Sequence, residues 1–487
     1  MPVKSSRKEM TRLRESPRGL LVDRLLNLQT IAIAIFVLCA LVRLGFAYRR
    51  VVIPFELDYE EGNILNAGLR ILNGTTPYPT PGTFPYILNP YGPIGYLFAA
   101  IGVKVFGTSL LGPRLLVLLA GICITACVAL LARRFGARWD IASLCAVSFL
   151  ASPIMWHWFP LLRVDLWAIL FSMLGMCVFC LKTEEWKLSA VLFGFAVLTK
   201  HTAIAAPVAC VLQLCAEKKP YKALGLAAIS SGTVLLTLSF LPRPNSVLFH
   251  LLKTHPDPYE LKGLMLKYMF MVGWSFPAVF VISYAVMRNF RPVKGATLPW
   301  LYFALSSAVS FTLGKAGSNT NHSLEWTCAA WLMAAMALTH LVKTKDVIFK
   351  PAFIAITLAA IALAFSPGQQ FLASARQVDC PQAYQFVKSF GATRILSEDV
   401  SAVALSGKAV LVSNPFVLTE LGNSVKWSEG SVEQLLQDRY FDLIILGDDP
   451  FASDRWSDSV RSEIARHYQP VRQFQCSPYS ASAFVPR

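Results

Sequence analysis

Runs of about 20 apolar residues recur along this chain, and no other feature limits its fold as strongly. The first run is TIAIAIFVLCALVRLGFAY, residues 30–48. Inside a bilayer every backbone N–H and C=O must be satisfied within the protein, so such runs have to be helices. Others fall near 112–132, 139–153, 164–181, 187–200, 202–216, 223–241, 264–287, 297–314, 323–341 and 350–366. Composition agrees, with 55% of the 487 residues hydrophobic and 15% charged. The reading is a polytopic α-helical membrane protein over residues 30–366.

Residues 1–29 form a basic tail that carries Lys4, Arg7, Lys8, Arg12, Arg14, Arg18 and Arg24. The tail is too long and polar for a simple signal peptide, and no small-residue cleavage site follows the first run. That run therefore reads as an uncleaved anchor with a cytoplasmic N-terminus. Basic loops recur at Arg133, Arg134 and Arg138, at Lys182 and Lys187, and at Lys218, Lys219 and Lys222. They return at Arg288, Arg291 and Lys294 and at Lys343, Lys345 and Lys350. With all five cytoplasmic, 154–163, 200–202, 242–263, 315–322 and everything after 366 lie outside. This gives about eleven crossings in what is expected to be a bacterial inner membrane. NPYGPIGYLFAAIGVKVFG (89–107) then becomes a re-entrant or interfacial helix within a first outer loop over 49–111.

The net charge of +16 is explained by these loops and does not imply nucleic-acid binding. All but two of the 11 cysteines fall in apolar runs, where cysteine acts as a small hydrophobe. Cys380 and Cys476 lie in the tail domain and have the option of a disulfide if that domain is outside.

Residues 367–487 differ in kind, and Pro367-Gly368 marks the boundary. RILSED, KAVLVS and FDLIILG read as short buried strands, SVEQLLQDRY and SVRSEIARHY as amphipathic helices. Together they predict a small extracytoplasmic α/β domain. Gly447-Asp448-Asp449 after a strand is too weak a signal to make a site.

Four polar features must be tolerated at the membrane. The first is Glu56, Asp58, Glu60 and Glu61 in PFELDYEEGNILNAGLRILNG. Asp58 and Glu61 are close enough to share one surface ahead of an amphipathic helix lying on the membrane. A general base and a set of helix-capping acids explain this cluster equally well. The second is Arg163-Val164-Asp165, closing ASPIMWHWFPLLRVD. Arg163 suits a phosphate and Asp165 the positioning of a substrate, or the two form an internal ion pair. Nearby, Trp156 and Trp158 suit an aromatic belt and His157 a packing role. The third is Lys200-His201, in which Lys200 either snorkels or holds a phosphate. The fourth is GKAGSNTNHSLEW (314–326), in which Lys315, Asn319, Asn321, His322 and Glu325 gather at the outer end of a helix. Packing alone does not call for so many hydrogen-bonding groups. All four fall on one side of the expected topology.

The order of these features resembles the GT-C superfamily of membrane glycosyltransferases. One crossing is followed by LDYEEG, then NPYGPIGYLFAAIG, FGTSLLGPRLL, LLRVD, LTKHT and GKAGSNTNHSLEW. The superfamily includes oligosaccharyltransferase catalytic subunits, protein O-mannosyltransferases and lipid A aminoarabinose transferases. The chain looks most like the bacterial family-39-like members, over residues of about 30–366. The resemblance implies a GT-C fold with a helical first outer loop, and a first-loop catalytic carboxylate at Asp58. It places Asp165 as the second outer-loop acid beside Arg163, and Lys200 and Lys315 around a lipid phosphate. Glu60, His201, Asn319, Asn321, His322 and Glu325 fall among the substrate-binding residues, and Glu61 among the catalytic ones. The first loop reads Asp58-Tyr59-Glu60-Glu61 without DxD spacing, so a divalent metal is not supported and no cofactor is expected. The choice of base among Asp58, Glu60 and Glu61 is open, with Asp58 preferred.

This combination implies an inverting glycosyltransferase. A sugar would pass from a polyprenyl-phosphate donor to a hydroxyl on a lipid, glycan or protein acceptor, at the extracytoplasmic face. A flippase of lipid-linked sugars would instead show inverted repeats with polar groups near the bilayer midplane. A non-catalytic lipid-glycan scaffold and a surface-polysaccharide polymerase or ligase are further alternatives.

Overall fold

The computed structural model describes residues 17–254, 258–291, 297–315, 317–366, 380–424, 430–447, 455–476 and 479–487. The tail before residue 17, Lys294, the Pro367-Gly368 boundary and Asp448-Asp449 lie outside them, as do the side chains of Cys380 and Cys476.

Helices dominate the chain up to residue 366. Gln29–Val51, Leu111–Arg134 and Pro220–Phe240 are each long and apolar enough to cross a membrane. Shorter apolar helices include Trp139–Ala151, Asp165–Leu181, Ala205–Ala216 and Phe349–Phe365. One expectation changes. The run read as one crossing over 264–287 is two helices, Leu261–Trp274 and Phe276–Met287, bent by 82°. Pro277 sits in the first turn of the second helix, where it needs no N–H donor.

The basic loops gather at one end of this bundle. Arg134 Nε donates to the Cys180 carbonyl at 2.9 Å. Arg288 bonds Asp346 at 2.7 Å, and its carbonyl lies 3.1 Å from His340 Nε2. The expected outer connections meet at the opposite end. There Ser246 Oγ donates to the Pro79 carbonyl at 2.6 Å, and His250 Nδ1 accepts from the Asn89 N–H at 3.2 Å.

The segment expected to be the first outer loop holds helices Glu60–Leu72 and Pro93–Phe106, which pack on each other. The 89–107 segment is a 14-residue helix after an extended lead-in. The Glu60–Leu72 helix does not simply lie on a surface, because Glu60 through Gly68 are buried. Close approach makes this feasible. A Cβ on Gly68 would sit 2.8 Å from the Ala100 nitrogen, and one on Gly62 2.4 Å from the Ser401 nitrogen.

The tail domain is a four-stranded sheet in the order β1-β2-β4-β3. β1 (Ile395–Ser397) and β2 (Leu443–Gly447) are parallel, and β4 (Tyr479–Pro486) runs antiparallel between β2 and β3 (Tyr468–Cys476). Gly430–Gln437 and Asp458–His467 are the expected helices. KAVLVS is not a sheet strand. Its Val412 forms an isolated parallel bridge with Tyr86 of the first outer loop. The Tyr86 N–H donates to the Leu411 carbonyl at 2.9 Å, and the Ser413 N–H donates to the Tyr86 carbonyl at 2.9 Å. Tail domain and first loop are therefore joined through backbone as well as side chains.

Candidate functional site

The four polar features converge on one cleft of about 330 Å³ at the end of the bundle where the expected outer connections meet. Arg163, Lys200, His201, Lys315, Asn319, Asn321 and His322 all line it, with Tyr59, Glu60 and Tyr91 from the first loop. Asn414, Phe416 and Val417 of the tail domain close one side.

Two carboxylate–cation pairs build the cationic wall. Arg163 Nε lies 3.1 Å from Asp58 Oδ1, with the side chains 6% and 13% exposed. Its guanidinium also lies over the Trp158 ring at 5.1 Å. Lys200 Nζ donates to Asp165 Oδ1 at 2.6 Å, and Asn321 Nδ2 lies 3.1 Å from both Asp165 oxygens. Arg163 and Lys200 line the cleft, whereas Asp58 and Asp165 do not. The two acids expected to meet substrate are paired with these cations, Asp58 with Arg163 and Asp165 with Lys200. Burial pushes the Asp58 carboxyl above the usual range, and Arg163 opposes that rise.

Asp58 and Glu61 do not share a surface. Glu61 turns away into a fully buried bidentate pair, with Arg114 Nε 2.7 Å from Oε1 and a terminal nitrogen 2.6 Å from Oε2. The backbone N–H groups of Leu162 and Leu57 donate to the same oxygens, each at 2.7 Å. Burial raises the Glu61 carboxyl, but Arg114 and these donors outweigh it and leave it below its ordinary value. Arg114 also donates to the carbonyls of Ile53 and Phe55 at 2.6 and 2.9 Å. Glu61 thus anchors the first loop and shows no open oxygen to a substrate.

Glu60 is the carboxylate that reaches the cleft. It is 3% exposed. Asn414 Nδ2 donates to Oε1 at 2.8 Å, and the Asn63 side chain one turn on also favours the ionised carboxylate. Burial first, then Asp58, push its carboxyl up to about 7 against the pull of Arg163. A carboxylate poised near neutrality in a cleft has the properties of a general base.

His201 and His322 also face the cleft. Burial, with Lys200 and Lys315 nearby, pulls His201 down to about 4. His322 Nδ1 lies 2.9 Å from Thr312 Oγ1. Asn319 caps its own turn by accepting from the Thr320 N–H at 2.7 Å. Lys315 is half-buried on the cleft wall. Glu325 is buried but does not line the cleft, and its neighbour is the Tyr302 hydroxyl. Trp158 is not a belt residue. It is 1% exposed and donates through Nε1 to Thr320 Oγ1 at 3.1 Å.

Sequence reasoning missed Arg114, Tyr91 and the tail residues Asn414 and Phe416. Arg114 looked like one more residue in FGTSLLGPRLL, although an arginine inside an apolar helix was a signal in itself. Among the described residues, no group of three or more His, Cys, Asp or Glu side chains is placed to hold a metal ion.

The family of dolichyl-phosphate-mannose-protein mannosyltransferases matches residues 89–241. The structure resembles apo ArnT from Cupriavidus metallidurans with a TM-score of 0.62 over 92% of this chain and 97% of that one, at 13% identity. The chain has the GT-C fold. A second ArnT structure, bound to undecaprenyl phosphate, matches at TM-score 0.59 over 96% and 98% of the two chains, again at 13% identity. No curated protein matches by sequence. The expected GT-C layout, apolar helices followed by a small terminal α/β unit, is therefore present along nearly the whole chain.

Proposed function

We propose that this chain transfers a sugar from a polyprenyl-phosphate donor to an acceptor hydroxyl, with inversion, at the extracytoplasmic membrane face. One observation carries the reading. A single cleft holds the cations Arg163, Lys200 and Lys315 together with the carboxylate Glu60. The match to dolichyl-phosphate-mannose-dependent transferases and the undecaprenyl phosphate bound to ArnT support a polyprenyl phosphate as the donor carrier.

The chemistry follows from charge. The acceptor oxygen attacks the anomeric carbon and its proton passes to Glu60. The bond from the anomeric carbon to the phosphate oxygen breaks, and its electron pair leaves with the polyprenyl phosphate. The leaving group gains negative charge, so fixed cations lower the barrier more than a general acid would. Arg163 and Lys200 supply that charge, and Asp58 and Asp165 act as positioning residues that keep them aimed. Glu60 replaces Asp58 as the preferred base because it lines the cleft, whereas Asp58 is paired with Arg163.

The test is a transfer assay in proteoliposomes with a panel of polyprenyl-phosphate sugars, following free polyprenyl phosphate and the anomeric configuration of the product. Release with inversion is expected. Donor binding without release from any member of the panel, or transfer with retention, would overturn the reading.

A further inference from the structure

A second pocket of about 170 Å³ opens beside the cleft, between the first outer loop and the tail domain. Tyr59 and Asn63 line it from the loop, Gly317 from the 314–326 segment, and Glu398, Asn414, Pro415, Phe416 and Arg455 from the tail. Tyr59, Asn414 and Phe416 also line the main cleft, so the two spaces share a wall.

Here, as for Arg163 and Lys200 in the cleft, the cation is paired with an acid. Arg455 lies 2.9 Å from Glu398 Oε2, and Glu398 also accepts from the Gly447 N–H at 2.9 Å and Trp456 Nε1 at 2.8 Å. What remains besides Gly317 is two side-chain amides, two aromatic side chains and a proline. Asn63 is the informative member. It is 2% exposed, and its Oδ1 has no hydrogen-bond partner among the described residues. A buried amide oxygen left unpaired is costly, and a small shift of the Asn63 side chain toward the pocket it lines would let a ligand hydroxyl satisfy it. Asn63 lies one helical turn beyond Glu60, and Asn414 bonds Glu60 directly. Asn414, which lines both spaces, thus links this pocket to Glu60, which lines the cleft. Amides paired with aromatic side chains suit a sugar, which offers hydroxyls at its edge and C–H groups on its face.

We propose that this pocket binds the acceptor, a neutral carbohydrate, and delivers one of its hydroxyls to Glu60 while the donor phosphate lies in the cleft. This rests on the transferase reading above and adds the acceptor class and the residues that hold it. The tail domain is then half of the acceptor site. The proposal also accounts for the backbone bridge between Tyr86 and Val412, which would fix the two walls relative to each other.

The experiment measures two affinities on the full chain in nanodiscs. One probe is undecaprenyl phosphate. The other is an array of neutral, anionic and cationic oligosaccharides, read with the lipid present. Asn63→Leu keeps the side-chain volume and removes the amide, and Asn63→Ala is the second variant. Both are checked for an unchanged thermal midpoint. Wild type should bind neutral oligosaccharides, the Asn63 variants should bind them at least tenfold more weakly, and lipid affinity should be unchanged. Three results would overturn the proposal: no neutral glycan bound by wild type, only charged glycans bound, or neutral glycans bound equally by the folded Asn63 variants. If the lipid binds and the donor is cleaved in those cases, this inference alone fails. If no donor is cleaved, the transferase reading fails with it.

Discussion

Glu60 and Asn414 stand 354 positions apart in sequence and 2.8 Å apart in space. That hydrogen bond joins the first outer loop to the tail domain at the carboxylate facing the cleft. The tail domain is thus built into the candidate site rather than appended to it.

Because the Asn414 amide favours the ionised form of Glu60, Asn414→Ala should raise the base above its value of about 7. A hydrogen bond to a charged group contributes about 1.5 kcal/mol, which corresponds to roughly 1 pH unit. The ascending limb of kcat/KM against pH should move to higher pH by that amount in a transfer assay. An unmoved limb would separate Asn414 from the base.

The Glu61–Arg114 pair is a stability element. Removing one partner of a buried pair costs about 3–5 kcal/mol because the other charge is stranded. Arg114→Met should therefore lower the thermal midpoint sharply, and Arg114→Met with Glu61→Gln should recover part of the loss. The Glu61 carboxyl is held below its ordinary value, so its contribution is present above the unfolded-state pKa and lost as pH falls through the folded one. Wild type should weaken on acidification more than the double variant does.

Lys200 is pinned by Asp165 and Asn321 and faces the cleft. Truncating one member of a buried charge pair costs about 2–5 kcal/mol at an interface, so Lys200→Ala should weaken undecaprenyl phosphate binding by roughly 30-fold or more. Lys200→Arg should keep part of the affinity. Equal lipid affinity in all three proteins would remove Lys200 from the phosphate site.

Glu56 lies between the first loop and the tail domain. Burial, then Asp399 and the neighbouring acids Glu61 and Asp58, raise its carboxyl well above the ordinary value. The stability linked to a raised acid is full below its unfolded pKa and lost as pH rises through its folded one. Glu56→Gln should match wild type in thermal midpoint at pH 5 and exceed it at pH 8, by about 2–4 °C for each 1 kcal/mol relieved. The same difference at both pH values would count against this linkage.

Much of this molecule was legible in its sequence. Apolar length gave the helices, and loop charge sorted their ends into two groups, since Arg134, Arg288 and Asp346 gather opposite the cleft. Polar residues inside apolar runs gave Arg163, Lys200, Lys315 and Asn321, because a bilayer leaves few reasons to keep them. What the sequence hid depended on direction and distance. Asp58, Glu60 and Glu61 lie within one helical turn, yet they face Arg163, the cleft and Arg114 respectively. Spacing alone did not assign those directions. Asn414 was hidden because KAVLVS reads as a strand by alternation, whereas its real partner is the distant Tyr86. β3 and β4 were missed because Pro470, Arg472 and three glutamines interrupt the pattern of the first.

The central claim is that Glu60 is the base of a polyprenyl-phosphate-dependent glycosyl transfer, and the direct measurement compares Glu60→Gln with Asp58→Asn. Each is assayed in proteoliposomes for release of polyprenyl phosphate from the donor that wild type uses, with lipid affinity measured alongside. Glu60→Gln should lose about 10²–10⁴-fold in turnover with lipid affinity unchanged. Asp58→Asn should retain turnover at saturating donor and bind the lipid more weakly through the loosened Arg163. Wild-type turnover in Glu60→Gln, with turnover lost in Asp58→Asn, would contradict the account.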